Sequence, residues 1–215
     1  VRAEIDALKR NPSNIPAPMQ ALRARLSADT GVPEAALPFV GELLQVRSED
    51  ADWRGAIERV LHGFAQSLLV DERHYADVAD WVNRTHLGIR LVYYRVRDNE
   101  HALPGRAPAA GSLLHKLELR EHAFAGWLRR ELGKRFDYDC VDSAKALRHA
   151  ERAITREGQV KHPGDRFEKD DRHAVNDRRR WLLGFDNRDK LALFEEEGLA
   201  LAQRIAACDA DVAAL

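Results

Sequence analysis

The chain has 215 residues, 45% of them hydrophobic, which suffices for one or two compact lobes around an ordinary core. Its 34 Lys+Arg against 35 Asp+Glu leave a formal charge of −1, so any affinity for nucleic acid has to come from a local patch and not from a whole-molecule field. Cys140 and Cys208 form no CxxC pair, which excludes a disulfide framework and a cysteine zinc site; no run of roughly 20 apolar residues and no signal pattern occurs, so a soluble cytoplasmic protein without a membrane partner is expected.

In chain order, Val1, Ile5 and Leu8 recur in steps of four and three until Asn11-Pro12 stops the helix. This defines an incoming stub at 1–10. The chain opens without an initiator methionine and holds only Met19, which suggests a piece of something longer. Residues 39–46 predict a strand from their β-branched and alternating content. Ser48 or Asp50 is placed to cap a following helix, whose apolar positions Trp53, Ile57, Val60 and Leu61 run to Gly63.

A short buried strand is expected at 67–70, then a helix over 72–83 with Tyr75, Val78, Ala79 and Val82 on one face. After Gly88, residues 90–96 carry the chain's strongest strand signal. Tyr93 and Tyr94 point to opposite sides of that strand, so one of them belongs at the surface or an interface. The stretch 97–110, with Pro104, Gly105 and Pro108, reads as a linker dividing a sub-lobe at 17–110 from another at 111–186. The second half alternates again: strand 113–119, helix 123–136, strand 138–141 and a short helix from Ser143. Helices crossing between strands imply partly parallel sheets.

From Asp186 onward, Leu191, Phe194, Gly198, Leu201, Ile205, Cys208, Val212 and Leu215 trace a heptad seam with polar residues between. An outgoing stub at 187–215 follows. The alternative is a pair of ordinary amphipathic helices packed on the core. The fold class is α/β: two small sub-lobes with antiparallel coiled-coil stubs at both termini.

The segment 166–190 is the most charged and nearly balanced. Arg178, Arg179 and Arg180, followed by Trp181, suit contact with DNA phosphates, or an ion-pair network anchoring the lobe to the exit helix. His162, Glu168, Lys169, Asp170, Asp171 and His173 are residue types that hold Mg²⁺ or Zn²⁺ in a metal-dependent nuclease or hydrolase. Their spacing matches no HExxH helix and no EF-hand loop. Gly133-Lys134 is followed by Arg135 and lacks a phosphate loop, and GxSxG and GxGxxG are missing, so no ATP site and no enzyme activity are expected in this fragment. Trp53, Trp81 and Trp127 sit on apolar helix faces and read as core, which leaves Trp181 as a candidate for base stacking.

The order of these motifs resembles the SMC hinge family: the 39–46 strand, the helix around 53–63, the 67–70 strand, the 76–83 helix leading to 88–94, and the Gly158-bearing stretch 153–160 as a late hairpin. Within it, residues 37–43, 53–64, 158–162 and 167–173 are similar to the hinge of the MukB-like and MksB-like JetC subunit of Wadjet anti-plasmid complexes. The resemblance implies a homodimerising hinge at the end of long arms, in a complex that extrudes DNA and directs cleavage of closed circular plasmids. It implies nucleoid or plasmid association, ATP and Mg²⁺ at a head domain outside this sequence, and kleisin and accessory subunits bound elsewhere. Interface residues would be Tyr93, Tyr94, Thr155, Gly158 and Val160, with a plain hairpin turn as the other account of Gly158. DNA contacts would be Lys161, Lys169, Arg172, Arg178, Arg179 and Arg180.

Overall fold

The computed structural model describes residues 1–97 and 107–213; positions 98–106 of the expected linker and the last seam residue, Leu215, lie outside the described residues. Helix α1 (Arg2–Arg10) ends as expected at Asn11, whose backbone is extended. A second helix, α2 (Ala17–Thr30), has no counterpart in the sequence reading. It buries Met19, Leu22 and Leu26, a one-sided pattern diluted by Ala17, Ala21, Ala24 and Ala28, and stops at Gly31 in the left-handed conformation.

The expected 39–46 strand is corrected to β1 (Leu44–Val46), preceded by a 3-10 turn at Val40–Glu42. Glu42 makes the turn: its Oε2 accepts from the Phe39 N–H at 2.9 Å and from Arg23 Nη1 at 2.7 Å. The next helix begins as a 3-10 stretch, Ser48–Trp53, and continues as α3 (Arg54–Ala65) past Gly63. Neither expected cap acts. Asp50 is taken by Lys116 at 2.6 Å and the Ser48 hydroxyl donates to Glu49.

Strand β2 (Leu68–Asp71), helix α4 (Tyr75–Arg84) and β3 (Tyr93–Val96) form a crossover unit with β2 and β3 parallel, Leu68 opposite Tyr93. β3 is shorter than the expected 90–96. The 113–119 strand is likewise reduced to β4 (Leu117–Leu119), because Ser112 caps a 3-10 turn at Leu113–Lys116 by accepting from the Leu114 N–H at 3.1 Å. β4 pairs antiparallel with β1, joining residues on either side of position 110, and one continuous cluster of buried side chains runs from Phe39, Ile57 and Trp81 to Leu113, Leu128 and Ile154.

After α5 (Ala125–Arg135) come β5 (Asp139–Cys140), α6 (Ala144–His149, capped by Ser143), β6 (Ala153–Ile154), β7 (Gln159–His162) and β8 (Arg166–Lys169). They make a four-stranded sheet ordered β5-β6-β7-β8, with β5 and β6 parallel. Trp53 and Trp81 are buried and Trp127 packs beside Phe64 and Tyr94.

The long helix α7 (Arg188–Ala213) returns antiparallel to α1. Lys9 pairs with Glu195 at 2.7 Å, and a Cβ on Gly198 would lie 3.2 Å from Ile5 Cδ1 and 3.4 Å from Val1 Cγ1. That close approach accounts for a glycine on the seam. Farther along α7 the same stripe is open, Leu201, Ile205 and Val212 being 40%, 61% and 71% exposed. Among the described residues no helix is long and apolar enough to cross a membrane.

Candidate functional site

The helix pair joins the body through a strap, residues 181–187, that belongs to no sheet. Its backbone is held almost wholly by side chains. Glu58 of α3, only 3% exposed, accepts from the N–H of Leu182 at 2.8 Å and of Leu183 at 3.1 Å. Arg54 Nη2 donates to the Leu183 carbonyl at 3.1 Å while its guanidinium stacks on Trp181 at 4.5 Å. From the other side Lys190 of α7 donates to the carbonyls of Trp181 and Asn14, and Asn187 donates to those of Leu8 and Asn11. The amides of Leu182 and Leu183 and the carbonyls of Trp181 and Leu183 thus find side-chain partners without regular structure.

Burial dominates the ionisation of this junction. It pushes the Glu58 carboxyl up to about 7, against the pull of the Leu182 N–H, Arg54, the Leu183 N–H and Lys190. It lowers Lys190, and it lowers His62, which the charges of Arg180 and Lys190 depress further.

The charged segment beside the strap follows one local rule. In Asp71–Arg73, Asp170–Arg172, Asp177–Arg179 and Asp186–Arg188 the arginine's own backbone N–H and its guanidinium both reach the aspartate two residues earlier. The turn formed by an aspartate over the next two residues brings the guanidinium back onto the same carboxylate. Arginine hydrogen bonds accordingly hold Asp170 and Asp177 well below the usual carboxylate range.

The residues expected to touch DNA are therefore placed unequally. Arg172 and Arg179 are neutralised by their aspartates, and Lys169 pairs with Asp171 at 2.9 Å. Lys161 is buried, donating to the Arg148 carbonyl and pairing with Asp165. Arg178 and Arg180 are exposed and make none of the ion pairs among the described residues.

The expected interface residues are also dispersed. Tyr94 is half-buried against Phe64 and Trp127, its hydroxyl accepting from Arg135 at 2.7 Å; Tyr93 leans on Tyr75. Thr155 and Val160 are buried. Gly158 closes a turn with its N–H on the Thr155 carbonyl at φ 79°, and a Cβ there would sit 2.7 Å from Arg59 Nη1. Sequence reasoning missed two features nearby. The outer edges of β3 and β8 carry no strand partner among the described residues, and all four β8 residues are exposed, Phe167 at 44%.

The residues of the metal-site alternative are not gathered at one point. His162 bridges the Tyr138 hydroxyl at 2.9 Å and Glu168 at 3.2 Å, Glu168 also takes Arg166, Asp170 takes Arg172, and His173 offers its backbone carbonyl to Arg59. Among the described residues no three His, Cys, Asp or Glu side chains gather as a metal would require. The arginines interleaved in the sequence have claimed the carboxylates.

No family model and no curated protein matches the chain. Solved structures do share its fold. The Pyrococcus furiosus Smc hinge domain with an extended coiled coil is 16% identical over 98% of this chain and 76% of that one, with a TM-score of 0.50. An asymmetric dimer of the Geobacillus stearothermophilus SMC hinge domain is 18% identical over 99% and 84%, with a TM-score of 0.54. A folded elbow of cohesin is 14% identical over 96% of this chain and 30% of that one, with a TM-score of 0.55. The fold is SMC-hinge-like.

Proposed function

We propose that this domain is the dimerisation hinge of an SMC-type protein, with α1 and α7 as the base of its coiled-coil arm. The observation that carries the reading is the antiparallel α1–α7 pair rooted side by side in an SMC-hinge-like body. The Geobacillus relative is described as a dimer. The edges of β3 and β8 that are open among the described residues lie on different halves of the chain, so β3 of one copy against β8 of another would extend both sheets through main-chain hydrogen bonds. A two-fold arrangement makes that contact twice and closes. In this reading the sub-lobes 17–110 and 111–186 meet at the β1–β4 pair, Tyr93 and Tyr94 lie along one seam, and Thr155, Gly158 and Val160 shape the hairpin next to the other.

The resemblance in residues 37–43, 53–64, 158–162 and 167–173 supports a narrower form. The parent protein would act in DNA loop extrusion and plasmid defence, with ATP and Mg²⁺ at its heads and kleisin and accessory subunits bound outside this domain. DNA contact within the domain would fall to Arg178 and Arg180, the exposed arginines of the 166–190 segment that make no ion pair among the described residues. Light scattering across a dilution series tests the core claim: a dimer is expected, converted to monomer by Phe167→Asp or Tyr93→Asp. A strict monomer at high micromolar concentration would overturn it.

A further inference from the structure

Between α3, the β7–β8 hairpin and residues 170–181 lies a cleft of about 290 Å³. It takes shape because Gly55 lets the Val175 carbonyl sit where a Cβ would be only 2.4 Å away, and because Gly158 leaves room for the Arg59 guanidinium. Its walls hold four carboxylates, and each is already engaged: Glu58 by the strap amides, Glu168 by Arg166 and His162, Asp170 by Arg172 and Asp177 by Arg179.

What is left over is donors. Arg59 Nη2 is spent on the His173 carbonyl, but its Nη1 is buried with no hydrogen-bond acceptor, the nearest carboxylate oxygen being that of Asp171 at 3.7 Å. Trp181 Nε1 is also buried without an acceptor. Arg180, on the same wall, makes no ion pair among the described residues. A buried donor left unmade costs about 1–3 kcal/mol, more when charged, and the two residues that own these donors, Arg59 and Trp181, both line this cleft beside the exposed Arg180. His62, also lining it, feels the field of Arg180 and Lys190.

We infer that this cleft binds a phosphate-class oxyanion through Arg59, Arg180 and the Trp181 indole N–H, a site separate from the edges proposed for dimerisation. A tetrahedral oxyanion accepts from several converging donors at once, as guanidinium groups favour. The inference does not rest on the hinge reading.

The test is calorimetric titration of the intact domain with inorganic phosphate at fixed ionic strength, with chloride as the reference salt. Saturable binding is expected, weakened at least tenfold by Arg180→Gln, which removes an exposed side chain, and by Trp181→Phe, which keeps the ring on Arg54 but deletes the donor. Both variants should melt as cooperatively as the parent. Competition by a 5′-phosphorylated DNA oligomer and by its unphosphorylated twin then separates the sources. Neither competing marks free phosphate as the ligand, only the first marks a strand terminus, and both mark the nucleic-acid backbone. No saturable phosphate binding, or equal binding by both variants and the parent, would overturn the inference.

Discussion

Replacing Glu58 by Gln should flatten the pH dependence of the domain's stability. The Glu58 carboxyl is raised from 4.5 to about 7 in the folded chain. The folded state therefore holds this proton more tightly than the unfolded one, so the contribution is complete below about pH 4.5 and is lost as pH rises through about 7. A displacement of that size corresponds to about 3.5 kcal/mol at most, since one unit is worth about 1.4 kcal/mol. His62 and His122, both held below their ordinary value chiefly by burial, act in the opposite sense, losing stability as pH falls below about 6.5. Those groups are common to both proteins, so the difference between parent and Glu58→Gln isolates the carboxyl. Urea unfolding from about pH 5 to about pH 8.5 should show the parent losing stability relative to the variant by roughly 2–3 kcal/mol across that range. Parallel curves would mean that Glu58 is not a buried titrating group, and the side-chain account of the strap would fail with it.

Further outcomes follow from particular contacts. Gly55→Ala should cost about 3 kcal/mol in urea unfolding, because the added carbon meets the Val175 backbone carbonyl, which cannot swing away. Gly158→Ala should cost about 1–3 kcal/mol through its positive φ and its contact with Arg59, and Arg59→Ala in the same chain should recover only the contact part. Leu8→Ala, at a 4% exposed position, should cost about 2–4 kcal/mol, whereas Ile205→Ser on the open stripe of α7 should change stability by no more than about 0.5 kcal/mol. Asp177→Ala should release Arg179 and strengthen DNA retention in low salt, while Arg178→Glu with Arg180→Glu should weaken it; filter binding across a salt series reads both.

Much of the fold was legible because its signals are periodic and local. The α3, α4 and α5 helices, the β2 strand and the α1–α7 pair all follow from apolar spacing, with ends displaced by a turn or less. The strands at 39–46, 90–96 and 113–119 were overdrawn for a physical reason. A run such as Phe39 to Leu43 is apolar because it is buried, and burial alone does not make a ladder when Glu42 can close a turn on the Phe39 amide. Helix α2 was invisible for the converse reason, its alanines carrying no facing preference while Leu26 and Met19 carry the core.

The charged segment shows where sequence reading of function stops. Eight cations and six acids between 166 and 190 read as a balanced run, and balance says nothing about which charges remain available. The deciding feature is the offset of two between Asp170 and Arg172, Asp177 and Arg179, and Asp186 and Arg188, which lets one turn satisfy both an amide and a carboxylate. That offset is visible in the sequence and predicts self-neutralised arginines wherever it recurs in loops, as at Asp71–Arg73. Arg178 and Arg180 stand out of that register, without an aspartate two residues earlier. Within the charged segment the same offset thus singles out the two arginines that make no ion pair among the described residues, and they lie just ahead of the α7 helix.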